Sequence, residues 1–103
     1  MTPTRAEFYL LLALRDGPRH GYGIMQDVEA LSDGTVRLGP GTLYTAIKRL
    51  RTAGLIEESE DGGTRRRCYR LTRKGKAAGV EEAQRLEALV RIARKRGFLP
   101  STS

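Results

Sequence analysis

The sequence predicts an α+β, mainly helical fold, a winged helix-turn-helix followed by an added C-terminal helix. Three segments with helical apolar periodicity fill the first half of the 103-residue chain, two short β-prone segments follow, and a long amphipathic segment comes last. Helix, helix, helix, hairpin, helix is the winged-helix order with one extra helix. We therefore divide the chain into a DNA-binding domain (1–72), a dimerisation helix (73–97) and a frayed tail (98–103).

The first two helices are predicted from their apolar faces and from the turn-forming residues that end them. Residues 5–15 are apolar on most of the helix circumference, which suits burial against both the domain itself and a partner. Turn-forming residues at 16–18 end this helix, and a second helix is expected at about 22–31. Residues 35–38 are β-prone and could form a small strand. The first helix is expected to contribute Phe8, Leu11 and Leu12 to a dimer interface.

The third helix carries the main functional signal. Gly39 stands at its cap and Pro40 at its first position, where the missing N–H of proline costs nothing. Leu43, Ala46, Ile47 and Leu50 face inward and leave polar residues outside. A helix enters the major groove of DNA with exposed donors near its N-terminus, and its first N–H groups can hold a phosphate. The predicted DNA contacts of this helix are Pro40, Gly41, Thr42, Tyr44, Thr45, Lys48 and Arg49.

Two strands, at 55–59 and 66–71, form a predicted hairpin around a Gly-Gly loop. Alternation places Tyr69 and Leu71 on one face, and Arg66, Cys68 and Arg70 on the other. Arginines beside the tip can reach phosphates or a minor groove, although a merely solvated basic face is the alternative. The predicted DNA contacts of the hairpin are Gly63, Thr64, Arg65, Arg66 and Arg67.

The final helix, expected from a cap at Thr72 to about residue 96, bears an apolar stripe. The stripe could pack on the domain's own core. However, a helix of about two dozen residues is longer than so small a domain can cover. Exposed apolar stripes of this length usually pack against a partner protein. We expect a homodimer that uses Val80, Ala83, Leu86, Leu89, Val90 and Ala93.

Charge and composition narrow the class of partner. The formal net charge is +7, and residues 65–76 hold seven basic and no acidic side chains. This segregation favours a polyanion-binding face. Cys68, the single cysteine, excludes an internal disulfide and a cysteine-based zinc site, and it is more readily a plain strand residue than a redox sensor. There is no membrane-length apolar run and no signal-peptide pattern, so we expect a cytoplasmic protein.

Several motifs, in this order, resemble the PadR family of transcriptional regulators over residues 7–93. They are His20-Gly21-Tyr22-Gly23-Ile24, Gly41-Thr42-Leu43-Tyr44, Arg49-Leu50, Gly54-Leu55-Ile56, Gly62-Gly63 with Arg67, and Tyr69-Arg70-Leu71-Thr72. The resemblance implies a winged helix that dimerises through its last helix, helped by the first, and represses genes from palindromic operators. It places Thr42, Tyr44 and Lys48 in the major groove and Arg65 to Arg67 on the wing. It also implies a small aromatic or drug-like effector in many members.

Two departures from the family pattern limit what can be carried over. Gly39 stands where members often have a serine cap, which puts one capping or phosphate contact in doubt. The chain has no tryptophan, so the tryptophan-lined drug site of some short members cannot be transferred to it. The short C-terminal region is similar to the compact branch of the family, with a single terminal helix.

Competing functions remain open on the sequence alone. An enzyme is disfavoured because no nucleophile lies beside a base and no metal-ligand cluster or phosphate loop is visible. We therefore predict no catalytic residue, metal or cofactor, and we expect His20 to serve in a turn or cap. A basic RNA- or ribosome-associated protein would explain the charge but not the exposed donors of the third helix. A winged helix used to bind another protein would show weak salt dependence and no affinity for duplex DNA.

Overall fold

The computed structural model describes residues 1–59 and 67–101 of the chain. These residues form four helices and a three-stranded antiparallel sheet of order β1-β3-β2, which confirms the predicted mainly helical α+β class. No helix in the described part of the chain is long and apolar enough to cross a membrane. The elements are α1 Arg5–Ala13, β1 Arg19–His20, α2 Gly21–Leu31, α3 Pro40–Thr52, β2 Ile56–Ser59, β3 Cys68–Leu71 and α4 Arg73–Lys95.

The small strand lies at β1 and not at residues 35–38, where it was predicted. β1 pairs with β3 through Arg19 opposite Tyr69. The chain after α2 instead closes a loop on the Ser32 hydroxyl, which accepts a hydrogen bond from the Val36 N–H at 2.9 Å. Gly34, at φ +78°, takes a left-handed conformation that a regular strand does not use. Local side-chain bonds therefore replace a β ladder in this segment.

β3 lies at the centre of the sheet, and its Cys68 is buried, with an exposed fraction of 5%. The predicted alternation, with Cys68 and Arg70 on one face of the strand and Tyr69 on the other, agrees with the ladder, in which Ser59 pairs with Cys68, Glu58 with Tyr69 and Glu57 with Arg70. β1 and β2 pair with the two edges of β3, and Tyr69, at 2% exposure, belongs to the core. A thiol removed from solvent favours the plain strand residue over the redox sensor.

One core links α1, α2, α3 and the sheet. The inward positions predicted for α3 are all buried. Leu11 is buried as well, with 3% of its surface exposed, so it belongs first to the chain's own core rather than to a partner contact. The reason is that α4 packs on α1, and Leu11 lies in the groove between the two helices. The largest fully buried side chains are Tyr69, Leu10, Leu14, Ile24, Leu43, Leu50, Ile56 and Val28.

The start of α4 is fixed against the turn between α3 and β2. Thr72 caps α4 by accepting from the Gly75 N–H at 3.0 Å, and its hydroxyl donates to the carbonyl of Gly54 at 2.7 Å. The Thr72 N–H donates to the carbonyl of Leu55 at 3.0 Å. Gly75 is buried so closely against Leu55 that a Cβ at position 75 would overlap the Leu55 carbonyl oxygen. These contacts set the direction in which α4 leaves the domain.

Beyond its first turns α4 extends away from the domain. Its 23 residues span about 34 Å at 1.5 Å per residue. The helix ends at Lys95; beyond its cap, Gly97 is in the left-handed region at φ +89°, and the Phe98 N–H donates back to the Ala93 carbonyl at 3.0 Å. The Arg94 guanidinium donates to the Pro100 carbonyl at 2.9 Å. Residues 98–100, expected to be frayed, thus turn back over the last turn of α4.

Candidate nucleic-acid interface

α3 presents a polar face on the outside of the domain. Pro40 begins the helix and Gly39 caps it without a side-chain hydrogen bond, as predicted. The residues of α3 that we predicted as DNA contacts are all exposed. The predicted inward positions, spaced by three and four residues, are buried and pack the helix on the core. The exposed set is Pro40, Gly41, Thr42, Tyr44, Thr45, Lys48 and Arg49.

Three of these side chains, those of Thr45, Tyr44 and Arg49, already contact other residues of the chain. The Thr45 hydroxyl donates to the Gly41 carbonyl at 2.9 Å, so its remaining capacity is to accept hydrogen bonds. The Tyr44 hydroxyl would lie 3.0 Å from a Cβ at Gly21, and residue 44 is 54% exposed. The aromatic ring therefore lies against the start of α2, and only a glycine at 21 leaves it that room.

Arg49 connects α3 to the first turn of α1. Its Nε lies 3.6 Å from Oε2 of Glu7, a carboxylate that is almost fully buried. The other oxygen of Glu7 accepts from the Thr4 N–H at 2.8 Å in a capping box. The sequence analysis proposed Arg49 only as a DNA contact and missed its ion pair with Glu7. The Thr4–Glu7 spacing was a visible capping-box signal, but nothing in the sequence paired Glu7 with Arg49.

The hairpin of β2 and β3, which we call the wing, lies beside α3. Glu58 on β2 faces both Arg51 of α3, at 3.5 Å, and Arg67 at the start of β3, at 3.7 Å. Arg67 is the predicted wing residue that the structure describes, and its side chain is 74% exposed. The other predicted wing contacts lie outside the described residues; they are Gly63, Thr64, Arg65 and Arg66.

Away from these side chains, α1 and α4 line an apolar groove of about 330 Å³. Phe8, Leu11, Leu12, Val80 and Ala83, all predicted for dimerisation, line it together. Further along α4, Leu86, Leu89 and Val90 share one face of the helix and are 40–61% exposed. We call these three residues the exposed stripe. Ile92, which the sequence did not predict, is 57% exposed as well, but it comes two positions after Val90 and so lies nearly on the opposite side of the helix. Ala93, also predicted, is half-buried near the helix end.

A helix with exposed donors, a basic hairpin beside it and a three-stranded sheet define a winged-helix DNA-binding domain. The family model of the "Transcriptional regulator PadR-like family" matches residues 10–81. The chain therefore belongs to the PadR-like family of transcriptional regulators. Members of this family are transcriptional regulators, not enzymes, and they bind DNA.

Two curated relatives are similar to the chain over most of its length. The transcriptional regulator Rv3488 of Mycobacterium tuberculosis is 38% identical over 85 residues, which cover 81% of this chain and 77% of that protein. An uncharacterised 37.1 kDa protein in transposon TN4556 of Streptomyces fradiae is 39% identical over 89 residues. The match covers 86% of this chain but only 25% of the transposon protein, so the chain spans about a quarter of that relative.

Two solved structures show the same fold. A transcriptional regulator from Clostridium thermocellum has a TM-score of 0.76 and 27% identity, with 87% of each chain covered. Bordetella bronchiseptica BpsR, whose DNA binding is regulated by 6-hydroxynicotinic acid, has a TM-score of 0.71 and 25% identity. That comparison covers 96% of this chain and 70% of BpsR.

Proposed function

We propose that the protein is a homodimeric repressor that binds a palindromic operator. The observation that carries the proposal is the placement of α3, whose donors lie exposed from its first turn onward while its apolar side is locked in the core. In this docking Thr42, Tyr44 and Lys48 face base edges in the major groove. The exposed N-terminal turn and the wing arginines meet phosphates on either side.

A second copy is the proposed occupant of the exposed stripe on α4. Leu86, Leu89 and Val90 together form an apolar surface on the part of α4 that extends beyond its packing on α1. Such a surface is unfavourable in water and is complementary to itself across a two-fold axis. A two-fold axis through α4 would hold two α3 helices at a fixed spacing, about 34 Å for half-sites one turn apart, and this accounts for a palindromic site.

The groove between α1 and α4 supports the proposed response to a small aromatic or drug-like effector. It is lined mainly by apolar side chains, and its volume of about 330 Å³ lies at the lower end for small-molecule sites. BpsR, a structural neighbour, is regulated by an aromatic acid. Because the groove adjoins the proposed dimer interface, a bound ligand would change how the two α3 helices are spaced. A regulator of this kind acts on chromosomal DNA and therefore in the cytoplasm.

Binding to the DNA upstream of the protein's own gene tests the proposal. We expect tight binding to a palindromic site, with affinity falling steeply as salt rises, and much weaker binding to random duplex and to structured RNA. Equal affinity for random duplex at physiological salt would exclude a specific repressor. A preference for structured RNA would favour the RNA-associated alternative. A lack of binding to duplex DNA, together with binding to a protein partner that depends little on salt, would favour the protein-interaction module.

A further inference from the structure

A cleft of about 530 Å³ separates α3 from the wing. Unlike the groove between α1 and α4, it is lined largely by polar atoms and by basic side chains, and it opens on the same side as the exposed face of α3. We call it the wing cleft. Its lining residues are Tyr44, Ile47, Lys48, Arg51, Thr52, Arg67 and Tyr69.

The register of the wing decides which of its charges reach the cleft. Glu58 pairs with Tyr69 across the β2–β3 ladder, and partners in a ladder share one face of a sheet. Tyr69 and Arg67, two residues apart, both line the cleft, so Glu58 lies on that face as well. The next ladder pair, Glu57 with Arg70, points to the opposite face, where the two side chains form their own ion pair at 2.8 Å.

Glu58 is the acidic side chain that the described residues place against the cations of the wing cleft. One oxygen, Oε1, lies 3.5 Å from Nη1 of Arg51 and 3.7 Å from Nη1 of Arg67. These separations are long for a guanidinium–carboxylate contact, and the three side chains are between 42% and 74% exposed. A weak, solvated contact of this kind exchanges readily for a better one.

We infer that the wing cleft is the seat of one DNA phosphodiester strand and that the incoming phosphate displaces the Glu58 carboxylate from Arg51 and Arg67. The inference deepens the proposed function and rests on it. When a helix lies in the major groove and a wing reaches the adjacent minor groove, the sugar-phosphate strand between those grooves passes between helix and wing. A guanidinium group pairs with a phosphate as it does with a carboxylate, and it can bind a phosphate through two hydrogen bonds, a closer geometry than the long contacts to Glu58.

This exchange gives Glu58 a definite role. Without DNA, its carboxylate keeps two arginines folded over the cleft and lowers the attraction of the cleft for polyanions in general. With DNA, the displaced carboxylate stays within a Debye length of the phosphates and opposes binding to every duplex. Glu58 thus lowers the affinity for every duplex, whatever its sequence, and in this way restrains non-specific binding.

Two charge-removing substitutions, each with a matched control, test the inference. Arg51→Gln removes a cleft cation and Arg70→Gln removes the corresponding cation from the other face of the wing. Glu58→Gln and Glu57→Gln form the equivalent acidic pair, so the net charge changes identically within each pair. Binding of each full-length variant to random duplex and to the upstream DNA is measured by fluorescence anisotropy at several salt concentrations.

The expected results separate the cleft from the control face. Arg51→Gln should weaken binding to both DNAs on the order of 10-fold and reduce the salt slope by about one, as for the loss of one phosphate contact. Glu58→Gln should strengthen binding to random duplex about three- to tenfold. Both control variants should stay within about twofold of wild type.

Three outcomes overturn the inference, and they can be told apart. Equal effects of Arg51→Gln and Arg70→Gln would show that only net charge matters, and equal effects of Glu58→Gln and Glu57→Gln would show that no exchange occurs. In both cases the repressor proposal survives if the wild type still prefers its own upstream DNA. Loss of that preference in the wild type itself would end both proposals. If the Arg51→Gln variant does not fold, the Arg67→Gln variant replaces it, because Arg67 is more exposed. It must then show the same reduction in the salt dependence of DNA binding.

Discussion

Replacing Gly75 by alanine is expected to damage the fold more than any other single-methyl change in α4. An added Cβ would overlap the Leu55 carbonyl oxygen and would lie 2.9 Å from both the Leu55 carbonyl carbon and Leu71 Cδ1. Ordinary contact begins at 3.4 Å, so the two elements must separate by at least about 0.5 Å. The Leu55 carbonyl also accepts the Thr72 N–H bond, which such a displacement lengthens.

The magnitude follows from these contacts. Overpacking against a rigid backbone costs about 1–3 kcal/mol, and a weakened buried hydrogen bond adds about 1 kcal/mol. Alanine regains up to about 1 kcal/mol through its higher helix propensity. We therefore expect Gly75→Ala to lower the free energy of unfolding by about 1–3 kcal/mol, which corresponds to a loss of roughly 4–24 °C in Tm for a domain of this size.

Gly79→Ala, one turn later in the same helix, is the matched control. Nothing lies within 4 Å of a Cβ at position 79. The same helix-propensity gain should therefore appear there undiminished, as an increase of about 1 kcal/mol. Thermal unfolding followed by circular dichroism at one fixed protein concentration gives both values, because oligomerisation makes Tm depend on concentration. Similar Tm values for the two variants would refute the close approach of Gly75 to Leu55.

Three further predictions address the dimer, α3 and the N-terminal cap. Replacing Leu86 and Leu89 together by glutamate should yield monomers in sedimentation equilibrium, since both are exposed on α4; a dimeric double mutant would place the interface elsewhere. Gly21→Ala should displace Tyr44 and weaken operator binding more than binding to random duplex, measured by anisotropy; equal losses on both DNAs would contradict a base-reading role for Tyr44. Glu7→Ala removes a capping box and a buried ion-pair partner, so urea unfolding should show a loss of about 2 kcal/mol, and an unchanged midpoint would contradict it.

The helices of this protein are largely readable from local sequence. Pro40 after Gly39 and the hydroxyl of Thr72 mark the starts of α3 and α4 within a residue, because capping involves groups only a few positions apart. Apolar periodicity likewise identified the buried side of α3, since a helix places i, i+3, i+4 and i+7 on one face whatever it packs against. The candidate DNA contacts of α3 follow directly, as the residues left on the other side.

Features that depend on contacts between residues distant in sequence could be learned only from the tertiary structure. A two-residue strand such as β1 has no pattern of its own and exists only because β3 offers it an edge. Leu11 and Leu12 are neighbours of identical type and both line the groove between α1 and α4, yet only Leu11 is buried in the core. The same holds for the charges, because Glu57 and Glu58 differ only in which face of the wing they occupy. Sequence alone therefore determined the order of the four helices and the hairpin, the basic character and the donor-bearing helix. Tertiary packing decided where the third strand lies, which acid meets Arg51 and how closely Gly75 approaches Leu55.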